Sequence, residues 1–190
     1  MTVQTSTELS AISAEFTNGA IDVRRFVEQS TRMLSRLVDC DRAGVWCVSG
    51  HAPDRTLHCV TIFDRPMGRH TRVEDMREPQ ITSYVDAVIV AGTLESVDVR
   101  ADPATKAIFE SGGLHNGVTS VMAKTSWLNG ELLCILTCAQ LSGNVSFNSK
   151  RLAALQMFSS EFVLAIARNC HPPRAVLCGM PPPDDWDKAC

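Results

Sequence analysis

The apolar residues of the first third of the chain follow a helical period and then change to a strand period. Residues 9–16 carry apolar side chains three or four positions apart, and residues 23–38 repeat this spacing opposite a face rich in arginine. Such spacing predicts two amphipathic helices, the second of them capped by Asp22. Residues 43–49 and 56–64 are apolar runs of strand length joined by turn-forming residues, which predicts a hairpin.

The next part of the chain mixes polar loops with shorter apolar repeats. Residues 65–79 combine charged residues with glycine and proline and are expected to form an exposed loop, whereas residues 80–91 carry apolar side chains on one face of a predicted helix. Asp102 and Pro103 are typical of a helix start, because Asp accepts a bond from a free backbone N–H and Pro has none to lose. That helix is expected to end at Gly112-Gly113.

Two further apolar runs, residues 118–128 and 131–141, flank the dipeptide Asn129-Gly130. Apolar runs of strand length joined by Asn-Gly are typical of a β-hairpin. The second run has almost no polar member, so it is expected to be a central strand covered on both faces. A final helical repeat spans residues 148–169, and the prolines of residues 170–190 predict a flexible C-terminal tail.

The order and spacing of these elements resemble the GAF family of sensory domains. The matching segments are the first core strand at residues 41–46, Asp98 with Asp102-Pro103, residues 114–123, the Asn129-Gly130 hairpin and the closing helix at 152–168. The resemblance covers residues 22–169, with residues 1–21 as an N-terminal helical extension. It implies an α+β fold, in which a central antiparallel sheet of five or six strands carries helices on both faces. It also implies that residues 65–91 form a lid over a ligand pocket.

Polar and aromatic residues on or beside the predicted sheet are the candidates for contacting a ligand in that pocket. They are Trp46, His58, Ile62, Tyr84, Asp98, His115, Thr125 and Thr137. Structural roles are the alternatives: Asp98 can bind backbone donors at the end of its strand, His115 can cap a turn, and Trp46 can belong to the core.

Eight cysteines raise the question of thiol or metal chemistry. Several lie inside apolar strands, where a free cysteine packs as a small hydrophobic residue, and no pair has the CxxC spacing of a zinc or redox motif. Cys134 and Cys138 share one face of a predicted strand, since side chains alternate with period two. A thiol sensor built from these two residues is therefore an alternative to core packing.

Composition and charge favour a globular cytoplasmic protein. The 190 residues are 45% hydrophobic and carry a net charge of −3, which does not favour a nucleic-acid partner. No apolar run reaches the roughly 18 residues that a membrane-spanning helix needs, and the first residues lack a secretory pattern. The chain has no nucleophile-elbow, phosphate-loop or zinc-protease motif, so we expect no enzymatic activity.

The predicted function is therefore sensory or regulatory. In this hypothesis a small-molecule ligand, or a signalling protein partner, alters the packing of lid and sheet and shifts the terminal helices of a homodimer. The sequence indicates no particular cofactor. Two alternatives stay open, a pocketless module for dimerisation or protein docking and a thiol-based redox sensor or reductase, because free methionine sulfoxide reductases share the GAF fold.

Overall fold

The structure, a computed structural model, describes residues 3–112 and 117–180, with side chains from residue 8 onward. The helices are α1 Val3–Thr17, α2 Val23–Val38, α3 Thr82–Ala91, α4 Pro103–Glu110, α5 Ser149–Asn169 and α6 Pro173–Cys178. The strands are β1 Arg42–Ser49, β2 Thr56–Asp64, β3 Arg69–Thr71, β4 Met76–Arg77, β5 Thr93–Ser96, β6 Ser120–Leu128 and β7 Glu131–Gln140. None of the helices in these described ranges is long and apolar enough to cross a membrane.

The strands form a single antiparallel sheet with helices on both faces, which confirms the predicted α+β fold. The order across the sheet is β3-β2-β1-β7-β6-β5, and β4 pairs separately with β2, giving seven strands. The two shortest strands, β3 and β4, come from residues 65–79, where the sequence predicts an exposed loop. This segment is partly ordered by the sheet because Met76 pairs with Leu57 and is buried.

Local sequence signals form the helix starts and the hairpin as predicted. The side chains of Asp22, Asp102 and Asn148 each accept a hydrogen bond from a backbone N–H in the first turn of α2, α4 and α5, respectively. In the turn between β6 and β7, Asn129 has φ = 51° and Gly130 has φ = 82°. Positive φ at both positions is what the preferred two-residue hairpin turn requires.

Helices α1, α2 and α5 cover one face of the sheet through a densely packed core. Three phenylalanine rings from these helices stack in series, with centroids 4.6 Å apart for Phe16 and Phe26 and 5.5 Å apart for Phe26 and Phe162. Beneath them lie apolar strand residues that include Val45 and Leu136. Fully buried aromatic side chains contribute a large share of core energy, so this layer is the firmly packed side of the domain.

The opposite face is covered by the shorter helices α3 and α4. An ion-pair cluster fixes α3 and β4 to the start of β2, where the guanidinium of Arg55 contacts Glu78 at 2.5 Å and Asp86 at 2.7 Å. Burial of Glu78 opposes its ionisation, but the hydrogen bonds from Arg55 outweigh that effect and lower the pKa of Glu78 below its ordinary value. The ion pairs of Arg55 therefore attach one end of the α3–α4 layer to the sheet.

The C-terminal segment differs from the flexible tail that the sequence predicts for residues 170–190. Pro173–Cys178 forms helix α6, in which Leu177 is only 1% exposed, and the guanidinium of Arg174 donates a hydrogen bond to the carbonyl of Val48. The prolines that end α5 do not prevent this helix, because proline is well suited to the first turn of a new one. Residues 181–190 lie outside the described part of the chain.

We predict a pH dependence of stability that comes from His70 on β3. Burial, partly offset by the hydrogen bond to the carbonyl of Glu28, lowers its pKa from 6.5 to about 4. Because the unfolded chain binds the proton at higher pH, the free energy of unfolding falls as the pH drops from about 6.5 to 4. Replacing His70→Gln keeps a donor for Glu28 without the titration, so denaturant titrations should show a shallower pH slope.

The control for this prediction is the exposed residue His51, and His51→Gln should keep the slope of the unchanged protein. Identical slopes for His70→Gln and the unchanged protein would contradict the assigned role of His70.

Candidate functional site

A cavity of about 30 Å³ lies between the sheet and helices α3 and α4. Its walls are mostly apolar and come from strands β1, β2, β4, β6 and β7 and from both helices. The lining residues are Arg42, Trp46, Leu57, Ile62, Met76, Tyr84, Ile108, Val118, Val121, Thr137 and Ala139. A volume of this size has room for about one or two water molecules. The cavity is the enclosed site that the fold places under the predicted lid.

Two central strands bring an indole and a hydroxyl together in the cavity wall. Trp46 Nε1 donates a hydrogen bond of 2.9 Å to Thr137 Oγ1. Gly44, two residues before Trp46 on β1, makes this contact possible. A Cβ atom at Gly44 would lie 2.8 Å from Thr137 Oγ1 and 2.9 Å from Trp46 Nε1, closer than real Cβ contacts. The glycine is therefore required by close approach of the side chains, and the indole is held in one orientation.

The third polar group of the wall is the hydroxyl of Tyr84 on α3. This residue is 3% exposed, and burial raises the pKa of its phenol well above the ordinary value. The hydroxyl forms no hydrogen bond with any residue in the described ranges. Tyr84 therefore keeps a hydrogen-bond donor available at the cavity for a water molecule or a ligand.

Four of the eight predicted ligand contacts lie in this cavity, namely Trp46, Ile62, Tyr84 and Thr137. His115 lies outside the described residues. The remaining three are used elsewhere.

His58 is on the opposite face of the sheet. It follows Leu57, which lines the cavity, and successive strand residues point to opposite faces. Its ring nitrogens contact Ser49 at 2.6 Å and Asp75 at 2.7 Å.

Asp98 and Thr125 have structural roles. The carboxylate of Asp98 accepts hydrogen bonds from the backbone N–H of Arg100 at 3.0 Å and from the amide of Asn144 at 3.3 Å. The hydroxyl of Thr125 donates to the carbonyl of Gly92 at 3.1 Å, where α3 turns into β5. Both residues therefore stabilise turns outside the cavity wall, and for Asp98 this is the structural alternative given by the sequence.

The lining residues that sequence reasoning missed are mainly apolar. They are Arg42, Leu57, Met76, Ile108, Val118, Val121 and Ala139. Candidates chosen for polarity could not include most of them. A strict period of two would place Leu57 and Ile62 on opposite faces of the sheet. The pairing of β1 with β2 is irregular at one point, however, because Trp46 pairs with Cys59 and Val45 pairs with Thr61, which leaves Val60 without a partner on β1. This bulge returns Ile62 to the cavity side.

Cys134 and Cys138 are both fully buried on the α5 side of β7. Four residues of strand separate their α-carbons by about 13 Å, which is too far for a disulfide, so the two do not form a pair with each other. Burial raises the pKa of the Cys134 thiol to about 12 and that of Cys138 well above its ordinary value. Throughout the described part of the chain, no group of three or more His, Cys, Asp or Glu side chains is placed to hold a metal ion.

Comparison with solved structures identifies the architecture. The chain is similar to the phycocyanobilin-bound GAF domain of a cyanobacterial phytochrome, with 14% identity, a TM-score of 0.69, and coverage of 89% of this chain and 97% of that one. The GAF domain of a phosphoenolpyruvate-protein phosphotransferase from Coxiella burnetii has 16% identity, a TM-score of 0.62, and coverage of 86% and 92%.

A third similar structure is the free methionine-R-sulfoxide reductase of Neisseria meningitidis in complex with its substrate. It has 12% identity and a TM-score of 0.60, and the alignment covers 85% of each chain. No protein-family profile matches the sequence, and a search of curated proteins finds no match. The similarity in three dimensions, together with the antiparallel sheet and its two helical layers, shows that this chain has the GAF fold.

Proposed function

We propose that this protein is a cytoplasmic sensory domain that binds a small, mostly apolar molecule between the sheet and helices α3 and α4. The observation that carries the proposal is the hydroxyl of Tyr84, which has no hydrogen-bond partner in the described ranges and lies in the wall of a mostly apolar cavity. Ligand sites are typically apolar concavities with a few convergent polar groups. The proposal is one of binding and regulation, without catalytic turnover.

The chemistry of the cavity wall indicates the class of ligand. Tyr84 offers a hydrogen-bond donor, whereas the indole N–H of Trp46 is already bonded to Thr137. Leu57 and Ile62 on β2 and Ile108 on α4 supply apolar contacts. A flat apolar ring that carries one hydrogen-bond acceptor matches this arrangement, because its acceptor would satisfy the Tyr84 hydroxyl.

The cavity must enlarge before such a molecule can enter. Its volume of about 30 Å³ is about one tenth of the lower limit for typical ligand sites, roughly 300 Å³. Helix α3 is the element best placed to move. It has ten residues, and its Arg55 contact is made by Asp86, whose side chain is 56% exposed. The fold accommodates small molecules in other proteins, as in the phycocyanobilin-bound domain and the substrate complex of the reductase.

The signal would leave the domain through the terminal helices. Strands β1 and β7 belong to both cores, since Trp46 faces the cavity while its neighbours Val45 and Cys47 pack beneath α2 and α5. A displacement of β1 therefore reaches the layer formed by α1, α2 and α5. On the outer side of that layer, α1 and α5 form a groove of small and polar residues beside Leu164, which is 51% exposed. We propose this surface as the homodimer contact.

A second candidate function is a pocketless module for dimerisation or docking of a signalling protein. The small volume of the cavity favours this second function, because in a domain that does not open the cavity would be only a small packing defect and not a ligand site. The two candidates differ in one measurable property, which is whether a small molecule stabilises the folded state.

For the sensory function we predict that a small ligand raises the melting temperature. The probes of the proposed class are phenol and the nucleobases, which are flat rings with a hydrogen-bond acceptor, and indole, free amino acids and cyclic nucleotides are the comparison probes outside that class. A ligand at 100 times its Kd adds about 2.7 kcal/mol, which corresponds to roughly 5–10 °C for a chain of this size. Tyr84→Phe should melt at the same or a slightly higher temperature without ligand, because the lost hydroxyl has no partner, and should lose most of the ligand-induced shift.

The matched control is Thr125→Val, which removes a hydroxyl that is bonded to Gly92. This variant should be destabilised by about 1 kcal/mol and should keep the ligand-induced shift. If no probe shifts the melting temperature, the docking module is the better account. If Tyr84→Phe retains the full shift, Tyr84 is not the ligand contact.

For the homodimer we predict a molecular mass of twice the 20.7 kDa chain in light scattering. Leu164→Glu should lower that mass to one chain, since it replaces the exposed apolar side chain of the proposed contact with a charge that would be desolvated there. The control is Val90→Glu on α3, which is 87% exposed and lies away from the α1–α5 groove. A single-chain mass for the unchanged protein at high concentration would contradict the dimer.

A further inference from the structure

A row of reactive side chains crosses the sheet on the face opposite the cavity, beneath helix α6. Cys47 on β1 is paired with His58 on β2. His58 Nδ1 in turn contacts Asp75 Oδ2 at 2.7 Å, and its Nε2 contacts Ser49 Oγ at 2.6 Å. The ring is therefore held in a fixed orientation by bonds at both nitrogens. This row belongs neither to the cavity nor to the ligand contacts proposed above.

Helix α6 places a second thiol directly against this row. Cys178 packs against the buried cluster that contains Cys47, and the two thiols lie close enough for each to shift the pKa of the other. Cys47 is fully buried, whereas Cys178 is partly exposed, so only one member of the pair is accessible to a dissolved reagent. The guanidinium of Arg174 donates a hydrogen bond to the carbonyl of Val48, and its positive charge lies close enough to Cys178 to lower the pKa of that thiol.

The two thiols differ in acidity. The interaction with Cys47, together with smaller contributions from Arg174 and His58, outweighs the opposing effect of partial burial and lowers the pKa of Cys178 to about 7. The same contact, together with burial, raises the pKa of Cys47. Cys59, Cys134, Cys138 and Cys170 also have raised pKa values because they are buried. An accessible thiolate beside positive charge is the usual setting of a reactive cysteine.

We propose that Cys178 and Cys47 form a redox pair, which a hydroperoxide oxidises to a disulfide that joins helix α6 covalently to strand β1. The inference is independent of the proposed ligand function. It replaces Cys134 and Cys138 as the redox residues, and it places the reactive sulfur on the C-terminal helix.

The reaction balances with a hydroperoxide as the only oxidant. The Cys178 thiolate attacks the terminal oxygen of the peroxide, so that an S–O bond forms, the O–O bond breaks and the departing oxygen takes a proton to leave as water or an alcohol. Cys178 is then a sulfenic acid. The Cys47 sulfur attacks the Cys178 sulfur, the S–O bond breaks, and the released hydroxide takes the Cys47 proton as a second molecule of water. The pair has lost two electrons, and a dithiol reductant reverses the change.

The disulfide would alter how the C-terminal segment is attached. In the reduced protein α6 is held by the buried side chain of Leu177, by the bond from Arg174 to Val48 and by a hydrogen bond of 3.4 Å from Arg72 to the carbonyl of Met180. A covalent bond to β1 prevents α6 from separating from the sheet. Oxidation therefore fixes the chain beyond α5 against a strand that also lines the cavity.

The test is peroxide oxidation of the full chain in its native state, followed by alkylation of free thiols and peptide mass spectrometry. The expected dominant cross-linked peptide joins Cys47 to Cys178. In Cys47→Ser, a sulfenic-acid reagent such as dimedone should label Cys178 first. Arg174→Met should slow oxidation by about three- to tenfold at pH 7, because a smaller fraction of Cys178 is then ionised.

The matched control is Arg25→Met on the exposed surface of α2, which should oxidise at the rate of the unchanged protein. A dominant disulfide between any other two cysteines, including Cys178 with Cys134 or Cys190, would overturn the proposal. So would the absence of a disulfide, or an unchanged rate in folded Arg174→Met. If that variant does not fold, the peptide map of the unchanged protein decides by itself.

Discussion

Burial of the two central strands on both faces is the constraint on which the rest of this structure depends. Strands β1 and β7 are paired at the middle of the sheet, and nearly all their residues are buried regardless of the face to which they point. Each fully buried aliphatic side chain contributes roughly 1.5–3 kcal/mol relative to an exposed one. Two helical layers are therefore required, and the proposed ligand site lies between one of these layers and the sheet.

The two layers meet this requirement in different ways. The layer of α1, α2 and α5 contains the stacked rings of Phe16, Phe26 and Phe162, which pack as a continuous core. The layer of α3 and α4 is built from shorter helices, leaves a cavity and places the hydroxyl of Tyr84 in its wall without a partner in the described ranges. A packing defect with an available donor is the expected form of a site that opens, because a cavity reduces the stability of the layer that contains it.

The sequence predicts those parts of the fold that depend on neighbouring residues. Asp22, Asp102 and the Asn129-Gly130 turn act within a few positions of themselves, and the structure confirms each of them. The amphipathic repeat of residues 23–38 likewise predicts which face of α2 is buried, because the spacing of side chains along a helix is fixed by its backbone geometry. These signals, together with the two-sided burial of 131–141, are sufficient for the fold class.

The sites depend on register and on contacts between distant segments. The bulge beside Val60 sets which residues of β2 face the cavity, and no local pattern marks it. His58 was therefore expected in the cavity but faces α6. Cys47 and Cys178 lie near each other only because α6, which follows α5, packs against the sheet. The prolines of residues 170–190 predict a flexible tail and give no sign of this contact. Residue type alone makes Tyr84 and Trp46 candidates, and both line the cavity, because a large buried side chain with a polar end usually lies at a boundary between core and site.

Hydrogen exchange measured by mass spectrometry on the native chain tests most directly the claim that one layer is firmly packed and the other is able to open. The account predicts that amides of α3, Thr82–Ala91, and α4, Pro103–Glu110, exchange through local opening at a lower free energy than those of α2, α5, β1 and β7. Equal protection of both helical layers would contradict it, because the cavity would then have no route to enlarge without unfolding of the whole domain.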